Sequence, residues 1–256
     1  GVGMDSIFKN KRFKKAILVG LAIVPLVFWF PILNHSNYIF ADEYANYLYQ
    51  DVPEGSVIIG GGDMFHSLTN YTHEVTGFRR DIIPITGNMF YIFPWYRDHL
   101  RKHTSLIVSE KVEDIIQMKN VNEFTWAIDQ LVADNPDKQF FVTPLLLRDT
   151  VVAGTMEGNY HTRSYQLVPH GLLYKIVQIG RTEVPNEELW KFTFKYPEHM
   201  AGKPPFYLER NYKNAYKLLR NDYAYSLSAL AEYYIQAGDK AKAGTYFQKA
   251  AELGAS

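Results

Sequence analysis

From Ala16 to Leu33 the chain runs for eighteen residues without a charge, directly after a basic cluster of Lys9, Lys11, Arg12, Lys14 and Lys15. At about 1.5 Å per residue a helix of that length spans about 27 Å, close to the hydrocarbon thickness of a bilayer. Trp29 and Phe30 sit towards its far end, where aromatic rings favour the membrane interface. The pattern predicts a transmembrane helix. The basic cluster before it predicts a cytoplasmic N-terminus with the bulk of the chain outside. A cleaved signal peptide fits less well. The apolar run is long for one, and cleavage after Ala41 would want a small residue where Ile39 stands. A buried core helix is the other alternative. Pro25 and Pro31 would kink the segment, which membrane helices tolerate.

Past this segment the periodicity changes. Residues 37–51 read as an amphipathic helix, with Ile39, Phe40, Tyr44, Tyr47 and Leu48 at helical spacing. Val52-Pro53-Glu54-Gly55 is a turn. Ser56–Ile59 predicts a strand that feeds Gly60-Gly61-Gly62-Asp63 and a helix over 64–76, with Gly77 as its C-cap. A second strand is expected at 81–86 and a short helix at 92–102, with Pro94 in its first turn. A helix at 121–135 carries Phe124, Ile128 and Leu131 on one stripe and stops at Asn135-Pro136. A third strand follows at 139–143, then a less regular stretch at 144–164. Residues 165–179 read as two strands around a turn at Pro169-His170-Gly171. Alternating strands and helices predict an α/β fold, here a small Rossmann-like sheet with an antiparallel edge.

Residues 181–206 hold four prolines and little periodicity, which reads as a connector. From 207 the chain is helical to its end. Leu227, Leu230, Ala231, Tyr234, Gly238, Ala243, Phe247 and Ala250 fit the tetratricopeptide pattern, with Gly238-Asp239 as the turn of a helical hairpin. An array needs about three such repeats to stand alone. One hairpin must therefore lean on 207–221, on the α/β domain, or on repeats elsewhere. The predicted organisation is a basic stub and transmembrane helix at 1–36, an extracytoplasmic α/β domain at 37–180, the connector at 181–206 and the tetratricopeptide-like region at 207–256. Tyr234 and Tyr246 are the hairpin's candidate partner contacts.

Composition narrows the function. The chain has 27 basic and 27 acidic residues, and this neutral balance argues against a nucleic-acid partner, which needs a basic surface. It has no cysteine, which excludes disulfides, thiolate metal sites and a cysteine nucleophile. Nineteen tyrosines suit protein or carbohydrate contacts, and they equally suit half-buried packing positions.

Residues 42–100 resemble one family. Asp42 and Ala45 fall in a helix, Val52-Pro53-Glu54-Gly55-Ser56-Val57-Ile58-Ile59 runs through a turn into a strand, and Gly62-Asp63 follows. Glu74-Val75-Thr76-Gly77-Phe78-Arg79-Arg80-Asp81 comes without a gap, then Trp95-Tyr96 and Leu100, and later Pro169-His170-Gly171-Leu172-Leu173-Tyr174. These match the extracytoplasmic region of a bacterial membrane family of unassigned function. That family is related to eukaryotic transmembrane protein O-mannosyltransferases with tetratricopeptide repeats. The segment Met64 to Asn70 departs from the family's pattern after Gly-Asp. The resemblance implies a lipid-linked sugar transferase of the GT-C type, whose catalytic acid lies on an early loop of a many-helix membrane region. This sequence has no such loop, so catalysis is expected outside it.

The chemistry-bearing residues weigh as follows. Gly60-Gly61-Gly62-Asp63 could cradle a phosphate at a helix N-terminus, or could be a tight turn. It lacks a P-loop's Lys-Ser/Thr. His66 and His73 share a helix face, without the spacing of a metal pair. Arg79, Arg80 and Asp81 either hold a ligand or tie down a loop. Asp149, His161 and Ser164 offer triad residue types without a nucleophile elbow. Asn34-His35-Ser36 and Asn70-Tyr71-Thr72 are glycosylation sequons, relevant only in a eukaryotic lumen. The candidate ligand residues are Gly62, Asp63, Glu74, Arg79 and Asp81, with no catalytic residue, metal or cofactor. The function expected is a non-catalytic extracytoplasmic domain of an O-mannosyltransferase-like membrane enzyme that engages an acceptor or partner. The alternative is a stand-alone membrane-anchored interaction module.

Overall fold

The structure, a computed structural model, describes residues 15, 19, 40–118, 123–148, 164–193 and 206–254. Apart from Val19, the membrane segment expected at 16–33 lies outside the described residues, as do Asp149 and His161. Among the described residues no helix is long and apolar enough to cross a membrane. Two compact units divide the chain, 41–193 with 217–256 and 1–40 with 194–216. The sheet and the C-terminal hairpin from residue 217 onward belong to the first.

The fold is mixed α/β, built on a five-stranded sheet of order β2-β1-β3-β5-β4. The strands are β1 (Val57–Gly60), β2 (Ile83–Thr86), β3 (Phe140–Val142), β4 (Tyr165–His170) and β5 (Leu173–Gln178). β1 pairs in parallel with β2 and β3, in the registers Val57↔Ile83 and Val57↔Phe140. β3–β5 and β5–β4 are antiparallel. β1 and β3 are buried along their whole length, as parallel strands covered on both faces must be. Val57, Ile59, Ile85, Phe140, Val142 and Ile176 form one core with Phe90, Leu100, Val112, Phe124, Ile128, Leu131 and Leu146. Ile58 and Phe141 alternate to the other face and are equally buried.

The helices before the sheet's end are α1 (Phe40–Leu48), α2 (Gly62–Asn70), α3 (Gly87–Ile92), α4 (Pro94–His103), α5 (Glu110–Gln117), α6 (Glu123–Asp134) and α7 (Pro144–Arg148). α2 continues into a π-turn at Tyr71–Thr76 and ends on Gly77, left-handed at φ 70°, as its sequence predicts. The helix expected at 92–102 is split. Phe93 precedes a proline and is extended at φ −111°, so α3 stops and Pro94 starts α4. The turn expected at Pro169-His170-Gly171 falls slightly later. Gly171, at φ 57°, makes the reversal, and Pro169 and His170 stay in the ladder opposite Tyr174 and Leu173. β4 is an edge strand, where a missing N–H is tolerated. α5 and α7 were not foreseen, being too short to set a periodicity. Arg97, 3% exposed, fastens α3 and α4 to α5. It donates to Phe90 O, Tyr91 O and both carboxylate oxygens of Glu113.

After the sheet, a 3₁₀ turn at Glu187–Trp190 interrupts the predicted connector. α8 (Phe206–Gln236) and α9 (Lys240–Gly254) then form a hairpin that turns at Gly238, φ 86°. Leu189 and Trp190 complete its core with Leu227, Leu230, Ala231, Tyr234, Ala243, Tyr246 and Ala250. Trp190 Nε1 donates to Ser226 O, and Ser226 Oγ donates to Gly171 O at the β4–β5 turn. Tyr44 of α1 donates to Asp222 at 3.0 Å and meets Tyr223 edge-on. The single hairpin thus leans on the connector, on α1 and on the sheet's last turn.

Candidate functional site

The glycine run at the end of β1 is shaped by its neighbours. A β-carbon on Gly60 would lie 2.2 Å from the Phe65 ring, and one on Gly61 would lie 2.8 Å from Leu146 Cα. Gly62 is left-handed at φ 76°. The Gly61 N–H donates to Thr143 Oγ1 at 3.2 Å. The missing side chains let Phe65 and α7 close over the strand ends. A phosphate cradle needs those N–H groups open, and one of them already has a partner. Asp63 is exposed in the first turn of α2, where no side chain caps the helix. It suits the positive end of the helix dipole.

Arg79 points inward. It donates from Nη1 to Tyr49 O and from Nη2 to Val52 O, and it pairs with Asp81 at 2.8 Å. These bonds tie the end of α1 to the loop before β2, and Arg79 itself adopts φ 51° to reach them. Hydrogen bonding to Asp81 raises the Arg79 pKa, and the same bond lowers that of Asp81. Arg80 secures the π-turn by donating to His73 O at 2.6 Å, with a longer reach to Glu74 O.

Glu74 and Asp81 do come together, on a groove of about 660 Å³. The groove runs over the outer edge of β2 between α2 with its π-turn and α4. One wall carries His66, Asn70, His73 and Glu74, at helical spacing along α2 and the π-turn. The other carries Trp95, His99 and His103, one turn apart along α4. Trp95 is 56% exposed. It meets Tyr96 edge-on and Phe93 at a tilt, with centroids 5.7 and 5.8 Å away. The Tyr96 hydroxyl accepts the Thr86 N–H at 3.0 Å, and burial raises its pKa. Burial likewise lowers the pKa of His73, whose ring stacks on Tyr49.

A short chain of polar groups, Asn70–His66–Thr86, has triad residue types. Asn70 Nδ2 lies 3.0 Å from His66 Nε2, and His66 Nδ1 lies 3.1 Å from Thr86 Oγ1. The imidazole's tautomer sets which of these groups donates and which accepts. Thr86 is also buried. Among the described residues no group of three or more His, Asp or Glu could hold a metal ion.

Tyr234 and Tyr246 lie inside the hairpin, each 7% exposed. Their rings stack at 5.8 Å, and both hydroxyls donate to Glu187 at 2.6 Å, one to each carboxylate oxygen. Lys242 joins the same carboxylate and lies over the Tyr234 ring. Lys242 and the two tyrosines hold the Glu187 pKa down to about 2. Both tyrosines are therefore engaged within the chain. Sequence reasoning missed Glu187, and it missed His99 and His103. The signal for the histidines was their register with Trp95, which sets an aromatic ring and two imidazoles on one face of α4.

No protein-family signature, curated protein or solved structure matches the chain.

Proposed function

We propose that this chain is a non-catalytic binding domain that engages an acceptor or partner for an O-mannosyltransferase-like membrane glycosyltransferase. In this reading residues 16–33 cross the membrane and the α/β and helical regions lie outside the cytoplasm. The lipid-linked sugar and the reacting groups belong to the membrane part of the enzyme. The finer fold reading goes with it. The parallel β2-β1-β3 trio supports a Rossmann-like origin for the sheet, and the small residues Ala231 and Ala243 at the hairpin's contact support a tetratricopeptide-like hairpin.

The α2–α4 groove carries the proposal. It has recognition chemistry, an exposed tryptophan beside side-chain donors and acceptors. The alternative, a stand-alone anchored module that grips partners through its hairpin, is weakened because Leu189 and Trp190 already occupy the hairpin's core and Glu187 already binds Tyr234 and Tyr246. The test is sugar transfer to a protein acceptor in membranes carrying the native gene product. Deleting 37–256 is expected to abolish transfer, and transfer at the undeleted rate would overturn the reading.

A further inference from the structure

We propose that the α2–α4 groove binds the ring of an uncharged glycoside, with the Trp95 indole as its platform. The assignment names a ligand class for the acceptor-binding reading and rests on that reading for its biological role alone; its chemistry comes from the groove.

The groove's floor excludes the commonest occupant of a sheet edge. β2 ends the sheet, and Ile83 N bonds inward to Ser56 O. The alternation of a parallel ladder then turns residues 82, 84 and 86 outward. Ile82 N donates to Arg79 O, Pro84 has no N–H, and Thr86 N donates to Tyr96. An added peptide strand would find carbonyls and no donors, so it could not form its ladder.

Charge gives an anion no advantage. The lining carries Arg80 against Glu74 and Asp81, and Asp81 is itself paired with Arg79. A phosphate or carboxylate would meet acidic side chains without a cationic excess. What remains suits a neutral ligand whose groups both donate and accept, and a hydroxyl does both. Glu74 accepts, while the imidazoles of His99 and His103 on the facing wall offer nitrogen donors and acceptors.

The walls supply the rest. Trp95 is fixed by Phe93 and Tyr96 and still leaves half its surface open. An indole face is covered well by the C–H face of a pyranose, whose hydroxyls then point sideways to the polar walls. His73 lines the groove beside them, 8% exposed, with its ring stacked on Tyr49.

The test is saturation-transfer NMR on the full chain, with a panel of methyl hexopyranosides, inorganic phosphate and an uncharged hexapeptide as separate probes. Transfer to the ring C–H protons of at least one glycoside is expected. Trp95→Ala should weaken that glycoside at least tenfold, and Glu74→Gln several-fold. Glu74 is exposed, so Glu74→Gln should keep the wild-type melting temperature, and Trp95→Ala should keep the wild-type circular dichroism spectrum at the temperature of the binding measurement. The proposal is overturned by no transfer to any glycoside, by transfer undiminished in both variants, or by competition from phosphate or the peptide. Glycoside binding together with sugar transfer that survives deletion of 37–256 would uphold the groove's ligand and remove the transferase reading. Absent glycoside binding with deletion-sensitive transfer would do the reverse.

Discussion

A β-carbon added to Gly87 would sit 2.5 Å from Leu146 Cδ1, while one added to Gly61 would sit 2.8 Å from Leu146 Cα. The two glycines face the same residue through different atoms, and that sets different expectations. Gly87→Ala should destabilise by about 1–3 kcal/mol, the usual range for overpacking. Leu146→Ala removes the opposing methyl, so the double variant should lose less than the sum of the single losses. Gly61→Ala should cost a similar amount, with no such relief, because the clashing Cα stays. Urea unfolding midpoints across the two cycles check this, and equal coupling in both would contradict the assignment of atoms. At this scale the sequence was readable only as residue type. The triplet Gly60-Gly61-Gly62 announced a place where side chains are unwelcome. It did not say whether a ligand or the protein itself fills the space. The fold brings Phe65 and α7 there, from five and more than eighty residues away.

Among the elements, the hairpin of α8 and α9 depends most on a residue outside it. Glu187 receives two tyrosine hydroxyls and a lysine, and its neighbours Leu189 and Trp190 supply apolar area against both helices. Glu187→Ala is expected to leave both hydroxyls without their acceptor and to loosen the hairpin locally. Hydrogen exchange should speed up in α9 and around Trp190 while β1 and β3 keep their protection. Unchanged exchange in α9 would mean that apolar packing alone holds it. The helical periodicity of both elements was legible, as was the turn at Gly238-Asp239. The support was not, because a four-residue 3₁₀ turn within a proline-rich stretch has too few residues to show a period. α4 gives the converse lesson. Leu100 and the buried Arg97 mark its inner face, while Trp95, His99 and His103 repeat every four residues on its groove face. That second stripe was open to reading once the helix was placed to start at Pro94.

At the scale of the whole molecule, burial favours the neutral form of two histidines among the described residues. His73 in the π-turn and His170 in β4 both have pKa values lowered below 6.5, with desolvation as the first cause. For a base, a lowered pKa in the folded state means that the unfolded chain takes up the proton more readily. Stability from these groups is therefore present above the unfolded value near 6.5 and is lost as the pH falls through the folded values. The melting temperature should drop from pH 7 towards pH 5, and less steeply in His73→Gln and His170→Gln variants. A flat profile over that range in the wild type would contradict the burial argument. Glu187 adds a second, more acidic window. Its pKa is lowered to about 2, so its contribution is present above its ordinary value of 4.5 and fades as the pH falls from there towards 2.

The sequence by itself determined the alternation of strands and helices, the buried run of β1, the Gly77 cap and the helical hairpin, because each rests on local periodicity or on one residue's backbone freedom. It also determined the near-zero charge that argues against nucleic acid. Tertiary structure alone decided which polar residues share a surface. Arg79 and Asp81 are two residues apart, yet Arg79 turns inward to Tyr49 and Val52 while Asp81 borders the groove. Glu74 and Trp95 are far apart in sequence and line the same space. The physical reason is that a groove is set by how elements pack across the edge of β2. A side chain's role there follows from which neighbour meets it first, and no local pattern carries that information.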